Sequence, residues 1–438
     1  MLDKVQNFIR QNNLLNYDSP IVVGVSGGAD SIALLTILVN LGYSCIAAHC
    51  NFHLRGAESL RDEIFTRDYV DSLNVPFTKI DFDTKQYADS NHLSIEMAAR
   101  DLRYDWFESI RKEKKAQAIA VAHHQDDSVE TFLLNLVRGT GIRGLCGIRP
   151  KQGYVVRPLL CITKDEILNW ISKEKLNFVI DGTNLSDEYS RNFIRLRVLP
   201  LLQELNPSIK QSIAKTASNL SKTEEIYRYY IDNVRSEVIK SNTIYIPFLL
   251  SFPASQTILY ELLRDYGFSP QMSLDIYNSL SHESGKCFYS PIFRLIKDRD
   301  QLILTKIVPE TELNEEIVFP DKEGFYQKPF NFSTKYSTFD EFQLCKDKRC
   351  AFFDADKLAF PLYFRKWQKG DWFIPFGMNG KKKISDYFND HHFSIIDKEN
   401  SWLLCSGNNI IWIVGERSDN RFCIDEKTSR VLSIKIID

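Results

Sequence analysis

The sequence predicts an α/β protein with an N-terminal parallel sheet covered by helices on both faces, then a small helical domain and a C-terminal β-rich module. In residues 1–205, short apolar, β-branched runs alternate with longer helical patterns, as parallel sheets require. From about residue 352 the pattern changes to Trp, Gly and β-branched residues, which is typical of strands.

The first four strands of the sheet are predicted from the apolar runs, and two helices between them from apolar spacing. The predicted strands are Ile21–Val25, Ser44–His49, Phe77–Phe82 and Ala118–Ala122, and the helices are Asp62–Leu73 and Ile95–Lys112. Ligands of parallel sheets bind beyond the carboxyl ends of the strands. We therefore expect the residues that follow these strands to converge at one edge.

A chain of 438 residues is too long for one ordinary core. Asn206-Pro207 interrupts a helical run and indicates a boundary, and the segment after residue 308 is acidic. We predict an N-terminal domain over residues 1–205, a helical linker with a small domain over 206–308, an acidic connection over 309–351 and a C-terminal module over 352–438.

The net charge of −2 does not by itself indicate a nucleic-acid partner, but the cations are unevenly distributed along the chain. Residues 135–160 hold five cations and no acid. A second run holds Arg365, Lys366, Lys369, Lys381, Lys382 and Lys383 against the single acid Asp371. Such runs can steer polyanions, although each run alone is more often a solvated surface than a binding site.

Nine scattered cysteines without a Cys-x-x-Cys pair are typical of reduced thiols in a cytosolic protein. The N-terminus lacks the apolar region of a signal peptide, and no apolar run reaches the length of a membrane span. These features predict a cytoplasmic protein without a membrane partner.

The segment Ser26-Gly27-Gly28-Ala29-Asp30-Ser31 stands between the first strand and an apolar helical run. Backbone N–H groups and the dipole at a helix N-terminus favour an anion, and glycines let a phosphate approach the backbone. The lysine of a Walker loop is absent, so Asp30 is placed to hold a metal that neutralises a polyphosphate. The alternative is a plain turn capped by Ser26 or Asp30.

A second cluster follows the fourth strand, where His123-His124 precedes Asp126, Asp127 and Glu130. Three carboxylates within one helical turn suit Mg²⁺, which prefers oxygen ligands. The alternative is capping, with Asp126 or Asp127 as the N-cap and Glu130 completing a capping box.

Further arginines have the spacing of phosphate ligands. Arg191 and Arg195 lie one helical turn apart after Asp181-Gly182-Thr183-Asn184, and could clamp a phosphate. Arg100 and Arg103 share a helix face, for which a surface ion pair with Glu96 is the alternative.

In this order and spacing, these blocks resemble the tRNA(Ile)-lysidine synthetases, a family of N-type PP-loop ATP pyrophosphatases with the adenine nucleotide alpha hydrolase-like fold. The resemblance is dense over the first 205 residues and returns at Arg365-x-Trp367-x-x-Gly370-Asp371. It implies that ATP adenylates O2 of cytidine 34 in the CAU anticodon of tRNA(Ile), and that L-lysine then displaces AMP.

The resemblance also implies roles for the site residues. Ser26 to Ser31 (with Gly27, Gly28, Ala29 and Asp30) would bind ATP, and Asp30 with Asp127 would hold Mg²⁺. Glu130 would receive or deprotonate the lysine ammonium, and Arg191 or Arg195 would stabilise charge at the α-phosphate. The basic run from Arg365 to Lys383 would bind tRNA.

Two other functions are compatible with the same motifs. A tRNA thiolase on this fold would need a cysteine pair or an iron–sulfur site, for which only Cys146 and Cys161 are candidates. A non-catalytic RNA-binding protein would use the nucleotide only as a conformational ligand. The sequence leaves the oligomeric state open, a homodimer included.

Overall fold

The structure is a computed structural model that describes residues 1–54, 56–179, 190–282, 284–307, 316–342, 345 and 347–437. The predicted Asp181–Asn184 motif lies outside these residues. The chain forms two compact units, Met1–Tyr229 and Tyr230–Asp438. No helix in the described part is both long and apolar enough to cross a membrane.

The first unit is built on a six-stranded sheet in the order β3-β2-β1-β4-β6-β5. The strands from β3 to β6 in that order are parallel, and β5 at the edge is antiparallel. The strands are β1 (Ile21–Gly24), β2 (Cys45–Asn51), β3 (Phe77–Asp81), β4 (Ala118–Ala120), β5 (Lys151–Gln152) and β6 (Val155–Val156).

Helices cover both faces of this sheet because successive strand residues point to opposite sides. Val23 belongs to the core beneath α1, α2 and α7, whereas its neighbour Val22 packs in the core that contains Phe107 of α5. The helices are α1 (Leu2–Gln11), α2 (Ala29–Asn40), α3 (Ala57–Ser72), α4 (Thr84–Asn91), α5 (Ile95–Glu113), α6 (Gln125–Val137), α7 (Lys164–Glu174), α8 (Ser190–Phe193) and α9 (Leu199–Leu205).

A π-helical turn, Ile194–Val198, joins α8 to α9, and the long helix α10 (Ile209–Val238) follows. Buried side chains of α6, including Phe132 and Leu133, pack against Ile194 and Leu199. This apolar contact fixes the segment that carries Arg191 and Arg195 against α6.

The second unit begins with short helices and a five-stranded antiparallel sheet in the order β7-β8-β11-β10-β9. The helices are α11 (Ile246–Leu250), α12 (Ser255–Leu263) and α13 (Pro270–Ser279), and the strands are β7 (Ile239–Lys240), β8 (Thr243–Tyr245), β9 (Cys287–Tyr289), β10 (Phe293–Asp298) and β11 (Gln301–Lys306). Of these strands, the sequence indicates only β11, from the apolar run Leu302-Ile303-Leu304, because Arg294 and Lys297 interrupt the apolar pattern of β10.

Two four-stranded antiparallel sheets, β12-β16-β19-β20 and β13-β14-β21-β15, form the C-terminal part with the small pair β17-β18. The strands are β12 (Ile317–Phe319), β13 (Gly324–Tyr326), β14 (Phe332–Thr338), β15 (Cys350–Asp354), β16 (Leu362–Lys366), β17 (Trp372–Phe373), β18 (Lys382–Lys383), β19 (Trp402–Ser406), β20 (Asn409–Ile413) and β21 (Arg430–Ile436). Two short helices are α14 (Ile384–Asp390) and α15 (Ile395–Asn400).

The predicted fold class is confirmed: a parallel sheet between helices, a helical region and a β-rich C-terminal part. The predicted acidic connection over 309–351 differs in one respect, since its described part supplies β12 to one C-terminal sheet and β13 and β14 to the other. The three boundaries between the four predicted segments stay a prediction.

Candidate active site

The glycine-rich loop between β1 and α2 has a backbone that only glycine fits at one position. Gly27 has a φ of +86°, and a Cβ there would lie 2.7 Å from Thr66 Oγ1. Gly28 is the N-cap of α2, and no side chain of the described residues makes a capping hydrogen bond there, so Ser26 and Asp30 are not caps as the alternative required. The loop therefore presents an uncapped helix N-terminus, the geometry that suits a phosphate.

The two serines of the loop contact one another. Ser26 Oγ lies 3.2 Å from Ser31 Oγ, and the Ser31 hydroxyl donates to Gly28 O at 2.9 Å. Ser31 is buried, whereas Ser26 is exposed and can turn its hydroxyl toward a ligand. Ser31 thus stabilises the loop from its buried side, and Ser26 lies on its exposed side.

Asp30 is already paired with a lysine that the sequence analysis did not connect to the loop. Lys164, the first residue of α7, donates from Nζ to Asp30 Oδ1 at 2.6 Å. The loop lacks a lysine in sequence, but one lies beside it in space. Lys164 therefore adds a cation to the loop, and the metal expected at Asp30 stays a prediction.

The acids at the start of α6 have separate partners. His124 is the N-cap, and Asp127, the third helical residue, accepts from the His124 backbone N–H at 2.8 Å. Asp126 accepts from Lys164 N at 2.8 Å and from Lys210 Nζ at 2.6 Å, and these contacts hold its pKa below the ordinary value despite burial, which acts the other way. The capping alternative is wrong in both places, because the N-cap is His124 and the acid that completes the capping box is Asp127, not Glu130.

Glu130 is the most enclosed acid of the site, at 1% exposure. Arg195 donates to both of its oxygens, from Nε at 2.6 Å and Nη2 at 2.9 Å, and Arg191 Nε donates at 2.8 Å. Arg191 Nη2 also donates to Asp127 Oδ1 at 3.0 Å. The hydrogen bonds to Glu130 raise the pKa of Arg195 further. The two arginines are thus brought together by one carboxylate.

These groups form one charge network, defined by Asp30, Asp126, Asp127, Glu130, Lys164, Lys210, Arg191 and Arg195. Its four carboxylates balance its four cations. His124 joins the two halves, because its Nε2 lies 3.8 Å from Asp30 Oδ2 and 3.6 Å from Asp127 Oδ2. The predicted convergence of the loop with the start of α6 is therefore found.

Asp30 and Asp127 offer the oxygen donors that Mg²⁺ prefers, and both lie within 4 Å of the same histidine nitrogen. In the described part of the chain, no group of three or more His, Cys, Asp or Glu residues is arranged to hold a metal. These carboxylate oxygens suit a cation such as Mg²⁺, which keeps several of its waters when bound. To hold it, Asp30 and Asp127 would have to release Lys164 and Arg191.

A cavity of about 440 Å³ lies next to the charge network and is named here the arginine cavity. The described residues of its wall include no carboxylate; they are Arg100, His123, Thr131, Arg143, Gly147, Ile148, Arg149, Gln152, Arg157 and Arg191. Arg100 also lies over the ring of Tyr104 at 4.9 Å. Five guanidinium groups around one cavity favour an anionic ligand.

His123 stays neutral within this cationic wall. Burial and the nearby Arg157 charge lower its pKa to about 3, and Arg157 Nε donates to its Nδ1 at 3.3 Å. Arg157 itself is buried and donates from Nη1 to Arg149 O at 2.8 Å. The histidine thus serves as a hydrogen-bond acceptor that holds Arg157 in place.

The basic run of the second unit divides into paired and exposed cations. Arg365 makes a bidentate pair with Asp371 at 2.7 and 2.8 Å, and Lys382 pairs with Asp390 at 2.7 Å. Lys366 donates to Asn400 O and lies over the ring of Trp402. The exposed members are Lys369, Lys381 and Lys383.

Sequence reasoning missed Lys164, Lys210 and Glu224. The pattern Thr163-Lys164-Asp165-Glu166 marks a helix start, and its capping box is present, but nothing in it indicates contact with Asp30, 134 residues away. Lys210 and Glu224 lie on α10, which carried no recognised motif.

The lowered pKa of His123 leads to a prediction about how the stability of the protein depends on pH. The pKa of His123 is about 3 in the folded protein, below the ordinary value of 6.5. Below pH 6.5, His123 therefore binds a proton in the unfolded chain and stays neutral in the folded chain. Stability is therefore lost as the pH falls. We expect the free energy of unfolding of the wild type, relative to that of His123→Asn, to fall by about 2 kcal/mol between pH 8 and pH 5.

Urea unfolding of both proteins at pH 8, 7, 6 and 5 measures this difference. Asparagine does not titrate, and its amide oxygen can still accept from Arg157. Parallel pH profiles for the two proteins would contradict the burial of a neutral histidine.

Comparison with known proteins finds relatives that match over the whole chain. Residues 1–202 match the family model of the PP-loop domain, and residues 239–307 match that of the TilS substrate binding domain. The tRNA(Ile)-lysidine synthase of Parabacteroides distasonis is 54% identical over 439 residues, covering 100% of both chains, and that of Bacteroides thetaiotaomicron is 49% identical over 99% of both chains. The chain therefore belongs to the tRNA(Ile)-lysidine synthase family.

Proposed function

We propose that this protein uses ATP to join lysine to C2 of cytidine 34 in the CAU anticodon of tRNA(Ile), releasing AMP and pyrophosphate. The observation that carries the proposal is the charge network, where the uncapped phosphate loop meets Glu130 and its two arginines. Full-length similarity to tRNA(Ile)-lysidine synthases supplies the substrate class.

The reaction needs two displacements. In the first, O2 of the cytidine attacks the α-phosphorus of ATP, the bond to the bridging oxygen breaks and pyrophosphate leaves. In the second, an amine of lysine attacks C2, the C–O bond to AMP breaks, and the amine loses a proton. The carbon–nitrogen bond formed makes the enzyme a ligase.

The loop Ser26–Ser31 suits the pyrophosphate end of ATP, since the N-terminus of α2 and the exposed Ser26 hydroxyl offer donors there. Lys164 lies beside Asp30, so its ammonium group is placed to stabilise the negative charge of the departing pyrophosphate. Donors of this kind stabilise developing charge in the transition state.

Asp30 and Asp127 are the residues that would hold Mg²⁺. When bound, the ion would neutralise negative charge on the phosphates. The cations now paired with these acids, Lys164 and Arg191, would then face the phosphates directly.

Arg191 and Arg195 are proposed to stabilise charge at the α-phosphate, with Glu130 holding both guanidinium groups. Glu130 accepts three hydrogen bonds from these arginines, so a lysine ammonium that binds there must compete with them. Its proposed role in receiving or deprotonating lysine therefore requires one arginine to move toward the phosphate first.

Sulfur transfer is disfavoured by the state of the two candidate thiols. Cys146 is buried, and burial raises its pKa. Burial raises the pKa of Cys161 to about 11. Both thiols are therefore protonated at neutral pH, whereas a sulfur carrier reacts as the thiolate.

The proposed function is tested by incubating the protein with ATP, labelled L-lysine and unmodified tRNA(Ile). We expect label in the RNA, and a loss of about 10⁴-fold with uridine in place of cytidine 34, since uridine lacks the N4 donor. Equal labelling of the two RNAs, or no labelling of either, would overturn the proposal.

Replacing Asp30 by asparagine tests the loop. Asp30→Asn removes the charge that holds Lys164 and that would hold a metal, so pyrophosphate release should fall by about 100-fold or more. Asp165→Asn is the matched control, because Asp165 is an exposed acid beside Lys164. Similar rates of pyrophosphate release from the two variants would contradict the role of Asp30.

The exposed lysines of the second unit are tested together. Replacing Lys369, Lys381 and Lys383 by glutamine should weaken tRNA binding and lower the slope of log affinity against log salt by up to about 3, because each phosphate contact releases counterions. The control replaces Lys322, Lys335 and Lys427, which are equally exposed. Filter binding across a salt series measures both, and equal slopes would refute the assignment.

A further inference from the structure

The long helix α10 carries a buried acid that no motif indicated. Glu224 is 3% exposed, whereas its neighbour Glu225 is exposed to solvent. A carboxylate is seldom buried unless cations or donors offset its lost hydration. The partners of Glu224 therefore indicate why the acid is there.

Those partners are two arginines of the arginine cavity. Glu224 Oε1 lies 3.1 Å from Arg149 Nη2 and 3.6 Å from Arg143 Nε. Both distances are those of ion pairs, but Oε1 accepts no well-formed hydrogen bond. The carboxylate is not among the residues of the cavity wall, and it holds the two guanidinium groups by charge.

Arg143 and Arg149 both lie in the wall of a cavity that contains three further guanidinium groups. Like charges at this spacing repel and turn toward solvent. One buried carboxylate between them offsets the repulsion and keeps the arginine donors in a fixed position, as partners of ligating groups do elsewhere.

We propose that Glu224 positions Arg143 and Arg149 as a phosphate-binding pair, and that their ligand is the sugar–phosphate backbone of the tRNA; this rests on the proposed function. The cavity volume, about 440 Å³, suits a nucleotide-sized group. The wall does not include Ser26–Ser31, the loop assigned to ATP. Of the wall residues, Arg191 is assigned to the α-phosphate of ATP, whereas Arg143 and Arg149 are assigned to the RNA.

The test compares Glu224→Gln with Glu225→Gln, which remove the same charge from adjacent positions of one helix. For Glu224→Gln we expect the KM for tRNA and the Kd from filter binding to rise about tenfold, with the KM for ATP within about twofold of wild type. Glu225→Gln should change none of these. Equal tRNA affinity in the two variants would overturn the proposal.

Two further measurements separate positioning from a loss of folding. In a double-mutant cycle, Arg149→Gln should abolish most of the further effect of Glu224→Gln, since the acid acts through the arginine. Additive effects, or a rise in the KM for ATP together with a lower urea midpoint, would make Glu224 a structural residue only. Filter binding tests Glu224 even if the wild type transfers no lysine, an outcome that overturns the proposed function alone.

Discussion

The active site depends on one buried carboxylate, Glu130, and on the two arginines that bind it. Glu130 lies on α6, whereas Arg191 and Arg195 belong to the chain beyond residue 190, so these ion pairs connect segments about 60 residues apart. Removing one partner of a buried pair costs more than the pair contributes, because a charge is left without compensation. The apolar contacts of Phe132 and Leu133 with Ile194 stabilise the same arrangement, and the ion pairs set where the guanidinium groups lie.

The balance of the charge network has a consequence for ligand binding. Each acid that is expected to hold a cation now holds a lysine or an arginine, and each of these cations is one that a phosphate would attract. A polyphosphate and a divalent cation can therefore enter by exchange of partners, without leaving a buried charge unpaired. We expect Lys164 and Arg191 to make the largest changes, because both side chains are about one-third exposed and can move.

The local features of the fold were predictable, and the contacts between distant segments were not. β1, the glycine-rich loop and α2 follow from a β-branched run, a Gly-Gly turn and an apolar run within 20 residues. The sheet β7–β11 was mostly missed, since Arg294 and Lys297 break the alternation of β10, although Lys297 is buried and donates to His282 O. The pair of Lys164 with Asp30 spans 134 residues, and no local pattern indicates it.

The two basic runs show why charge along a sequence does not by itself define a binding surface. In residues 135–160, Arg143, Arg149 and Arg157 reach the arginine cavity, while Arg138 and Lys151 are exposed elsewhere on the surface. In the second run, Arg365 is occupied by Asp371, and only some of its neighbours face solvent. What separates the two kinds of cation is the nearest carboxylate. Asp371 satisfies the donors of Arg365 bidentately, whereas Glu224 holds Arg149 by charge without a well-formed hydrogen bond. If Glu224 positions Arg149 as proposed, the arginine keeps donors that a phosphate can accept from.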